Sequence, residues 1–408
     1  MKTEEMVESG SSRLILLALV VAVFSTTVID IIIPLFLVDI AKTFHVSAAV
    51  ASQIRTYSSI AQIIPGLLLG FLSVRYKAKS LLIIGALCIS LAAIGSYAAF
   101  DLNYMQFFYS FNGIGSVIVS AMALVVIGEF YPLQRKPHAV GIISATGALG
   151  YVIGAPVSAL ISDYAGWRST FTYLVLPISI AAVILALYLI PSSNPIRPVT
   201  VKKEPYWGGF QEIFMNKSAI ACLISFIFFL ILFSIGTFGI AFFRTTFNIS
   251  ADFASVIMFG GALSGALGSL VSGQFVIKFG RKNLTVVASL LSAILAMIAF
   301  YMPSIWIVLG FRYSSMIFWG VAIAANANLM LEQVPKHRGS MMSLRVAFAG
   351  IGSAVGVAIG GIVLSLYDYQ TIALILGTLG IVGSFILLAA ARDPCKPLTL
   401  EQNERDKL

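Results

Sequence analysis

The stretches GFLSVRYKAK at residues 70–79 and GQFVIKFGRK at residues 273–282 share one pattern at a separation of 203 residues. In each, a basic residue follows the first glycine by five places, an aromatic residue comes next, and a lysine ends the stretch. The segments EFYPLQR at 129–135 and EQVPKHR at 332–338 match at the same separation, and Gly147 falls on Gly350. Because 203 residues is half of a 408-residue chain, we infer an internal duplication.

The composition is that of a membrane-embedded chain, with 59% hydrophobic residues, 11% charged residues and a mean hydropathy of +0.97. A soluble domain carries roughly 25% charged residues. Twelve apolar runs are long enough to cross a bilayer as helices, in which each backbone group is satisfied within its own segment. We therefore expect an all-α polytopic membrane protein with 12 transmembrane helices in two pseudo-symmetric six-helix bundles. The runs cover about residues 13–38, 48–73, 80–99, 105–128, 139–160, 170–190, 218–242, 252–276, 283–301, 305–331, 340–364 and 370–390.

The placement of Lys and Arg predicts the orientation of the chain. With the N-terminus in the cytoplasm, the termini and the even-numbered loops hold 20 of the 26 Lys and Arg residues, and the opposite side holds three. Short loops rich in Lys and Arg stay in the cytoplasm. We expect a multi-pass protein of the plasma membrane, in contact with the lipid bilayer, with both termini cytoplasmic. The net charge of +9 follows from this bias and predicts no nucleic-acid partner.

The longest polar segment lies between the sixth and seventh apolar runs and divides the chain. We expect an N-terminal six-helix bundle over 1–190, a cytoplasmic linker loop over 191–217, a C-terminal six-helix bundle over 218–391 and a cytoplasmic tail over 392–408. The chain has no Walker-type phosphate loop, no HExxH pair and no Gly-x-Ser-x-Gly motif, and its three cysteines are far apart. These absences predict that the protein is not an enzyme and has neither a metal site nor another cofactor.

The repeated loop resembles the hallmark loop of the major facilitator superfamily, Gly-x-Leu-Ala-Asp-Arg-x-Gly-Arg-Lys. The fifth apolar run resembles the antiporter motif of its drug:proton and sugar-efflux branches, with Ser158 and Ala159 where that motif usually has glycines. Together these likenesses cover the whole chain and imply secondary transport by alternating access. The loop is matched at Gly70, Leu72, Arg75 and Lys79 and again at Gly273, Lys278, Gly280, Arg281 and Lys282; the antiporter motif is matched at Gly141, Gly150, Gly154 and Pro156.

The resemblance implies a cytoplasmic gate at the two repeated loops. Glycine would let neighbouring helices approach closely, and the basic residues could bridge to carboxylates or to helix ends. Val74 and Ile277 replace the loop aspartate of the family. An ion-pair latch would therefore use Glu129 and Glu332, with the arginines Arg135 and Arg338. Exposed pairs worth about 0–1 kcal/mol would open in each cycle. Alternatively, the basic residues only follow the orientation bias.

Three ionisable residues, Asp30, Arg55 and Arg312, are predicted at one depth inside the membrane. At 1.5 Å per residue each lies roughly 10–12 Å below the outer boundary. Charged groups at such a depth usually mark a pathway or a structural partner. Asp30 is therefore either a proton-coupling group or a structural partner of Arg55, and both roles stay open. A cluster of the three would have one positive charge in excess.

Polar residues at helical spacing predict the lining of a solute cavity. They are Gln62 with Arg55 on the second helix, Tyr109 and Asn112 on the fourth, and Trp319 and Asn326 with Arg312 on the tenth. In the superfamily, helices 1, 4, 7 and 10 line the cavity, which supports the stripes on the fourth and tenth helices. Packing within a bundle is the alternative role of Trp319. Tyr109 stands where the efflux branches have an arginine, and Arg312 is its counterpart 203 residues further on.

Three functional hypotheses follow. The first is a secondary active transporter working by alternating access, most simply proton-coupled efflux of a small organic or amphipathic solute, active as a monomer. The second is an organic-anion uniporter or exchanger in which Arg55 and Arg312 bind the anion. The third is a sensor or scaffold that keeps the fold without transporting. Since no nucleotide-binding motif is present, the energy for transport would come from a gradient of ions or solutes.

Overall fold

A computed structural model describes residues 2–131, 136–191 and 206–394, and the regular secondary structure in these ranges is helical. Contacts divide the chain into two compact units, which we call the first and the second unit. The first comprises Met1–Val46, Gln53–Lys202 and Ala251–Val256, and the second comprises Ser47–Ser52, Lys203–Ser250 and Ile257–Leu408.

Among the described residues up to 191, eight α-helices form. They are α1 (Lys2–Thr43), α2 (Ala48–Ala61), α3 (Ile63–Arg75), α4 (Ala78–Tyr97), α5 (Leu102–Phe130), α6 (Lys136–Leu149), α7 (Ala155–Ala165) and α8 (Leu176–Leu189). A π-helical turn, Gly150–Gly154, joins α6 to α7, and a second, Phe171–Val175, precedes α8.

Residues 206–394 form eight further α-helices, and a 3₁₀ turn, Pro335–His337, precedes the seventh of them. They are α9 (Tyr206–Met215), α10 (Lys217–Phe233), α11 (Ile235–Thr246), α12 (Ala251–Phe279), α13 (Arg281–Ala299), α14 (Ile305–Gln333), α15 (Arg338–Leu366) and α16 (Tyr369–Ala390). The short α9 lies in the segment for which the sequence predicts a loop.

In the described part of the chain, 11 helical segments are long and apolar enough to cross a membrane. The predicted run over 48–73 is not among them, because it is broken at Gln62 into α2 and α3. Pro65 explains the break: it has no backbone N–H, and its ring crowds the carbonyl of Ala61 four residues earlier. A total of twelve spans therefore remains a prediction.

Helix α1 bends where a proline lies inside it. Pro34 is within the helix, and Phe36 leaves the helical conformation at φ −108° and ψ 18°. Pro34 cannot donate to the carbonyl of Asp30, which is four residues earlier and would otherwise accept its N–H. The kink therefore leaves one carbonyl that another group must satisfy, because lipid offers no donor.

The duplication also appears in the backbone. Two non-glycine residues of the described chain have a positive φ, His45 at 54° and Asn248 at 51°. They are 203 residues apart and lie in the matching segments TFHVSA at 43–48 and TFNISA at 246–251. Each follows the helix that opens one half of the chain, where a left-handed residue ends a helix. This match adds a fourth repeat to those identified in the sequence.

The span that opens the second half is interrupted as well, without a proline. Helices α10 and α11 form one apolar segment, Lys217–Thr246, that breaks at Ser234. The Ser234 hydroxyl donates to the carbonyl of Leu230 at 3.0 Å. A serine bonded to its own helix in this way commonly accompanies a bend. The opening span of each half is therefore bent, by Pro34 in one case and at Ser234 in the other.

Candidate functional site

Asp30 on α1 and Arg55 on α2 lie together in the first unit, at the kink of α1. Nη1 of Arg55 is 3.8 Å from Oδ1 of Asp30, and it donates to the main-chain carbonyl of Asp30 at the shorter distance of 3.2 Å. This carbonyl is the one that Pro34 leaves without a donor. Arg55 therefore holds the kink mainly through the backbone, and the Asp30 carboxylate is its looser partner.

The Asp30 carboxylate belongs to a short hydrogen-bond chain. Nδ2 of Asn112 donates to Oδ1 of Asp30 at 2.9 Å, and the Ser116 hydroxyl donates to Oδ1 of Asn112 at 2.9 Å. Asn112 is fully buried, whereas 34% of the Asp30 side chain is exposed. The buried amide therefore orients the carboxylate through one oxygen. Its other oxygen, Oδ2, makes no hydrogen bond within the described residues.

Tyr109 and Gln62, both predicted to line a cavity, occupy structural positions in the first unit. Tyr109 is fully buried, and its hydroxyl donates to the carbonyl of Ile29 at 3.0 Å. Gln62 lies at the break between α2 and α3, with its side chain half-buried. Tyr109 thus supports α1 one residue before Asp30, and its side chain offers no exposed surface to a solute.

The glycines of the antiporter-like motif bring helices into contact with α1 beside Asp30. An added Cβ at Gly150 would overlap the side chain of Thr27, and one at Gly154 would lie 3.0 Å from Cγ2 of Val28. At Gly141 the same atom would meet no heavy atom of the described residues within 4 Å. Two of the predicted glycines therefore set the position of α1, while Gly141 has no such role in packing. Pro156 lies in the first turn of α7.

The repeated loop of the first half lies at the start of α4. Nζ of Lys79 donates to the carbonyl of Leu187, in the last turn of α8, at 2.7 Å, and Arg75 is exposed. Gly70 lies within α3, and Glu129 lies in the last turn of α5. Arg135 falls outside the described residues. Lys79 therefore ties the loop to a helix C-terminus, one of the two partners expected from the sequence.

The repeated loop of the second half binds an aspartate that the sequence interpretation overlooked. Oδ2 of Asp393 accepts the backbone N–H groups of Arg281 at 2.7 Å and Lys282 at 3.2 Å, and Nη1 of Arg281 is 3.8 Å from Oδ1. Gly280 precedes this helix start with φ 80°, a conformation that favours glycine. A carboxylate at a helix N-terminus is stabilising. The available signal was an acidic residue directly after the last apolar run.

The other gate residues of the second half interact locally. Nη2 of Arg338, the first residue of α15, donates to both carboxylate oxygens of Glu332, in the last turn of α14, at 3.0 Å. Lys278 lies 5.4 Å from the ring centroid of Phe279. A Cβ added at Gly273 would meet no heavy atom within 4 Å, so the close helix approach expected at this glycine is not found among the described residues.

Trp319 on α14 lies in an aromatic row of the second unit, which we call the aromatic wall: Phe226, Phe229, Phe233 and Trp319. The Trp319 ring stacks on Phe233 with centroids 4.5 Å apart and an interplanar angle of 21°, and on Phe229 at 6.0 Å and 4°. Phe226 continues the row at 6.3 Å from Phe229. The three phenylalanines recur at three and four residues, so they share one face of α10.

Two arginines flank the aromatic wall. The guanidinium carbon of Arg345 lies 4.3 Å from the ring centroid of Phe226, and Nη2 of Arg312 lies 3.5 Å from the position that a Cβ would take at Gly236. Neither arginine forms an ion pair or a hydrogen bond within the part of the chain that the structure describes. Arg312 belongs to the second unit, and its grouping with Asp30 and Arg55 remains a prediction.

Asn326, the last residue of the predicted stripe on α14, is only 3% exposed. It lines a small polar cavity of about 10 Å³ with three serines, Ser225, Ser289 and Ser384. Its Oδ1 atom has no hydrogen-bond donor among the described residues. Asn326 therefore faces a polar space inside the second unit, and Trp319 and Arg312 are the half-buried residues of its stripe.

Eleven apolar helical segments among the described residues of a duplicated chain define a multi-pass membrane protein. The chain belongs to the Major Facilitator Superfamily, whose family model matches residues 15–243 and 221–407. The members of this family are transporters and not enzymes, in agreement with the sequence prediction.

Individual relatives are distant but cover most of the chain. Multidrug resistance protein 2 of Bacillus subtilis is 22% identical over 349 residues, which is 83% of this chain and 85% of the relative. A probable sugar efflux transporter of Helicobacter pylori is 24% identical over 390 residues, or 92% and 94% of the two chains. The crystal structure of a variant of nucleoside transporter NupG superimposes with a TM-score of 0.76 at 20% identity, covering 92% of this chain and 99% of that one. At this identity the structural likeness establishes the fold alone.

Proposed function

We propose that the protein exports a small organic solute in exchange for protons, by alternating access, with Asp30 as the group that binds the proton. The observation that carries the proposal is the division of roles at the kink of α1. Arg55 is anchored to the main-chain carbonyl of Asp30 at 3.2 Å, and the carboxylate is 3.8 Å away and 34% exposed. Proton uptake by Asp30 would therefore leave the anchor of Arg55 in place.

The hydrogen-bond chain supports the same role. The amide of Asn112 donates to one oxygen of Asp30, and the other oxygen makes no hydrogen bond within the described residues. A proton on that second oxygen would thus preserve the bond from Asn112. A purely structural carboxylate would be expected to take most of its partner's hydrogen bonds, whereas here Arg55 gives its shorter bond to the backbone.

Outward transport is supported by the relatives and by the antiporter-like motif. Two relatives over more than 80% of the chain carry names for multidrug resistance and sugar efflux. Their solutes are properties of those proteins, and this chain needs its own assignment. The bias of Lys and Arg supports insertion in the plasma membrane with both termini cytoplasmic. We propose a monomer as the working form, because the duplication supplies two bundles within one chain.

A second candidate, an organic-anion uniporter or exchanger, is favoured by the second unit. Arg312 and Arg345 have no carboxylate partner in the described residues, so this unit has positive charge that an anion would neutralise. Ionisable groups inside a membrane protein usually mark a pathway when they are not paired. In this candidate, Asp30 only accompanies Arg55.

Reconstitution into liposomes separates the two candidates. Solute-dependent proton movement would be recorded with a pH-sensitive dye while organic anions and lipophilic cations are supplied, for the wild type, Asp30→Asn and Arg312→Ala. We expect solute-linked proton flux that is lost in Asp30→Asn while solute binding persists. Anion exchange that survives Asp30→Asn and fails in Arg312→Ala would replace the proposal with the second candidate. Solute binding without any flux in the wild type would instead support a sensor.

A further inference from the structure

The aromatic wall and the arginine near each of its ends are a candidate binding surface of the second unit. Arg345 lies against Phe226 at one end, and Arg312 lies beside Gly236 at the other. From Phe226 to Gly236 the chain advances ten residues, across the break at Ser234. Between these ends the rings of Phe229, Phe233 and Trp319 are stacked. Trp319, Phe233 and both arginines are half-buried, so part of the surface is accessible.

No carboxylate among the described residues of the unit balances the charge of this surface. Every acidic residue that the structure describes there has another partner or lies at a helix end. The pairs are Glu212 with His337 at 3.0 Å, Glu332 with Arg338, Asp368 with the first turn of α16, and Asp393 with the first turn of α13. A guanidinium removed from water without a counter-charge is costly. A bound anion would remove that cost.

We propose that the second unit binds a planar aromatic organic anion, with its ring stacked on the aromatic wall and its carboxylate or similar group on Arg312. This inference rests on the proposed function, since it names the class of solute. A guanidinium offers two parallel N–H donors to a carboxylate, which also fixes the plane of the bound ring. Arg345 serves as the second positive pole, held by its cation–π contact with Phe226.

Two other solute classes fit this surface less well. A lipophilic cation would require a carboxylate near the rings, and none lies there among the described residues of the unit. A sugar is bound through many hydrogen-bonding groups, whereas the described wall is formed by aromatic rings and ends in arginines. The chemistry therefore favours a ring system with one negative charge.

Equilibrium binding to the full chain in lipid nanodiscs tests the proposal with three matched probes. They are 2-naphthoate, its fully saturated analogue decahydronaphthalene-2-carboxylate, and the uncharged 2-naphthamide. We expect the wild type to bind 2-naphthoate roughly 10-fold or more tightly than either analogue, because each lacks the stacking or the charge. Equal binding of the three probes, or no binding of 2-naphthoate, would overturn the inference without the use of any variant.

Variants assign the two preferences to residues. Trp319→Leu is expected to remove the roughly 10-fold preference for 2-naphthoate over its saturated analogue. Arg312→Gln is expected to remove the roughly 10-fold preference for 2-naphthoate over the uncharged amide. Arg312→Lys should keep part of the charge preference, because lysine keeps the charge but not the fork of donors. The matched controls are Trp306→Leu, a tryptophan that is 70% exposed, and Arg13→Gln, an exposed arginine at the start of the first span. Equal losses in the controls would contradict the assignment.

The result is separable from the proposed function. Asp30→Asn should bind 2-naphthoate like the wild type and yet show no proton-linked flux. Binding of 2-naphthoate by a wild type that moves no protons would uphold the inference and reject proton coupling. Proton-linked export of other solutes, without 2-naphthoate binding, would uphold proton coupling and reject the inference about the solute.

Discussion

In the first unit, Asp30 and Ser116 both hydrogen-bond Asn112. The residues 203 places further on are Phe233 and Trp319, and their rings stack at 4.5 Å. The same two positions of a duplicated chain thus carry a polar network in one unit and an aromatic pair in the other. The comparison indicates that the duplication kept a bend in the opening span of each half, while the side chains at these two positions diverged from polar to aromatic.

The arginines show the same divergence. Tyr109 of the first unit corresponds to Arg312 of the second. Tyr109 is buried and donates to the carbonyl of Ile29, and Arg55 of the same unit donates to the carbonyl of Asp30. Arg312 has neither kind of bond within the described residues. If Arg55 stabilises the protein and Arg312 binds a solute, removal of the two arginines should affect stability differently, and this difference can be measured.

The largest expected effect is on stability and contrasts these two arginines. Arg55→Ala should lower the free energy of unfolding by about 3 kcal/mol, because it leaves the carbonyl of Asp30 without a donor and its carboxylate without a positive partner. Arg312→Ala should be neutral or stabilising, because it removes a charge that has no partner among the described residues. Unfolding by sodium dodecyl sulfate, followed by circular dichroism, measures both. Similar losses for the two variants would contradict the comparison.

A double-mutant cycle identifies which bond Arg55 provides. Pro34→Ala restores an N–H donor to the carbonyl of Asp30, so Arg55→Ala should cost about 1 kcal/mol less in that background. If the cost of Arg55→Ala were the same with and without Pro34, its main partner would be the carboxylate. Asp30 would then be a structural residue, and the proposed proton site would be wrong.

The next prediction concerns the contact between α1 and the antiporter-like motif. Gly150→Ala should lower the free energy of unfolding by about 1–3 kcal/mol, because the new methyl group overlaps Thr27 beside the polar network. Gly141→Ala is the matched control, with no heavy atom within 4 Å of the new carbon. It should be neutral or slightly stabilising, since alanine favours helix. Both are read by the same unfolding assay, and a destabilising Gly141→Ala would mean that the motif acts as a whole.

The general fold follows from long apolar runs and a repeat, and both are visible in the sequence. The membership of the superfamily is confirmed, as is a helical membrane fold. The break at Gln62 is also indicated in the sequence, by Pro65. A search for apolar runs does not detect it, because hydropathy scores side chains and not the backbone N–H that proline lacks. The role of Asp393 was missed because a polar tail residue becomes a helix cap only when the chain returns to the start of α13.

The site was less predictable, for physical reasons. Sequence spacing places Asp30 and Arg55 at one depth, but whether Arg55 bonds the carboxylate or the backbone depends on which carbonyl Pro34 leaves without a donor. That carbonyl belongs to the residue four places before the proline, so the sequence contains a signal for the backbone contact of Arg55. The stacking of Phe229 and Phe233 on Trp319 depends on how α10 meets α14, which no periodicity within one helix specifies.

The smallest expected effect compares the starts of α5 and α14, which are equivalent in the duplication. Oδ1 of Asp101 accepts the backbone N–H of Tyr104 at 2.7 Å, whereas Ser304, 203 residues further on, makes no such side-chain bond. Asp101→Ala should lower the free energy of unfolding by about 1 kcal/mol, and Ser304→Ala should change it little. Ser304→Asp should stabilise the protein if only the side chain is deficient, which the unfolding assay would show. Failure of Ser304→Asp to do so, with Asp101→Ala destabilising, would mean that the two helix starts also differ in their backbone, and that the divergence of the two units reaches beyond their side chains.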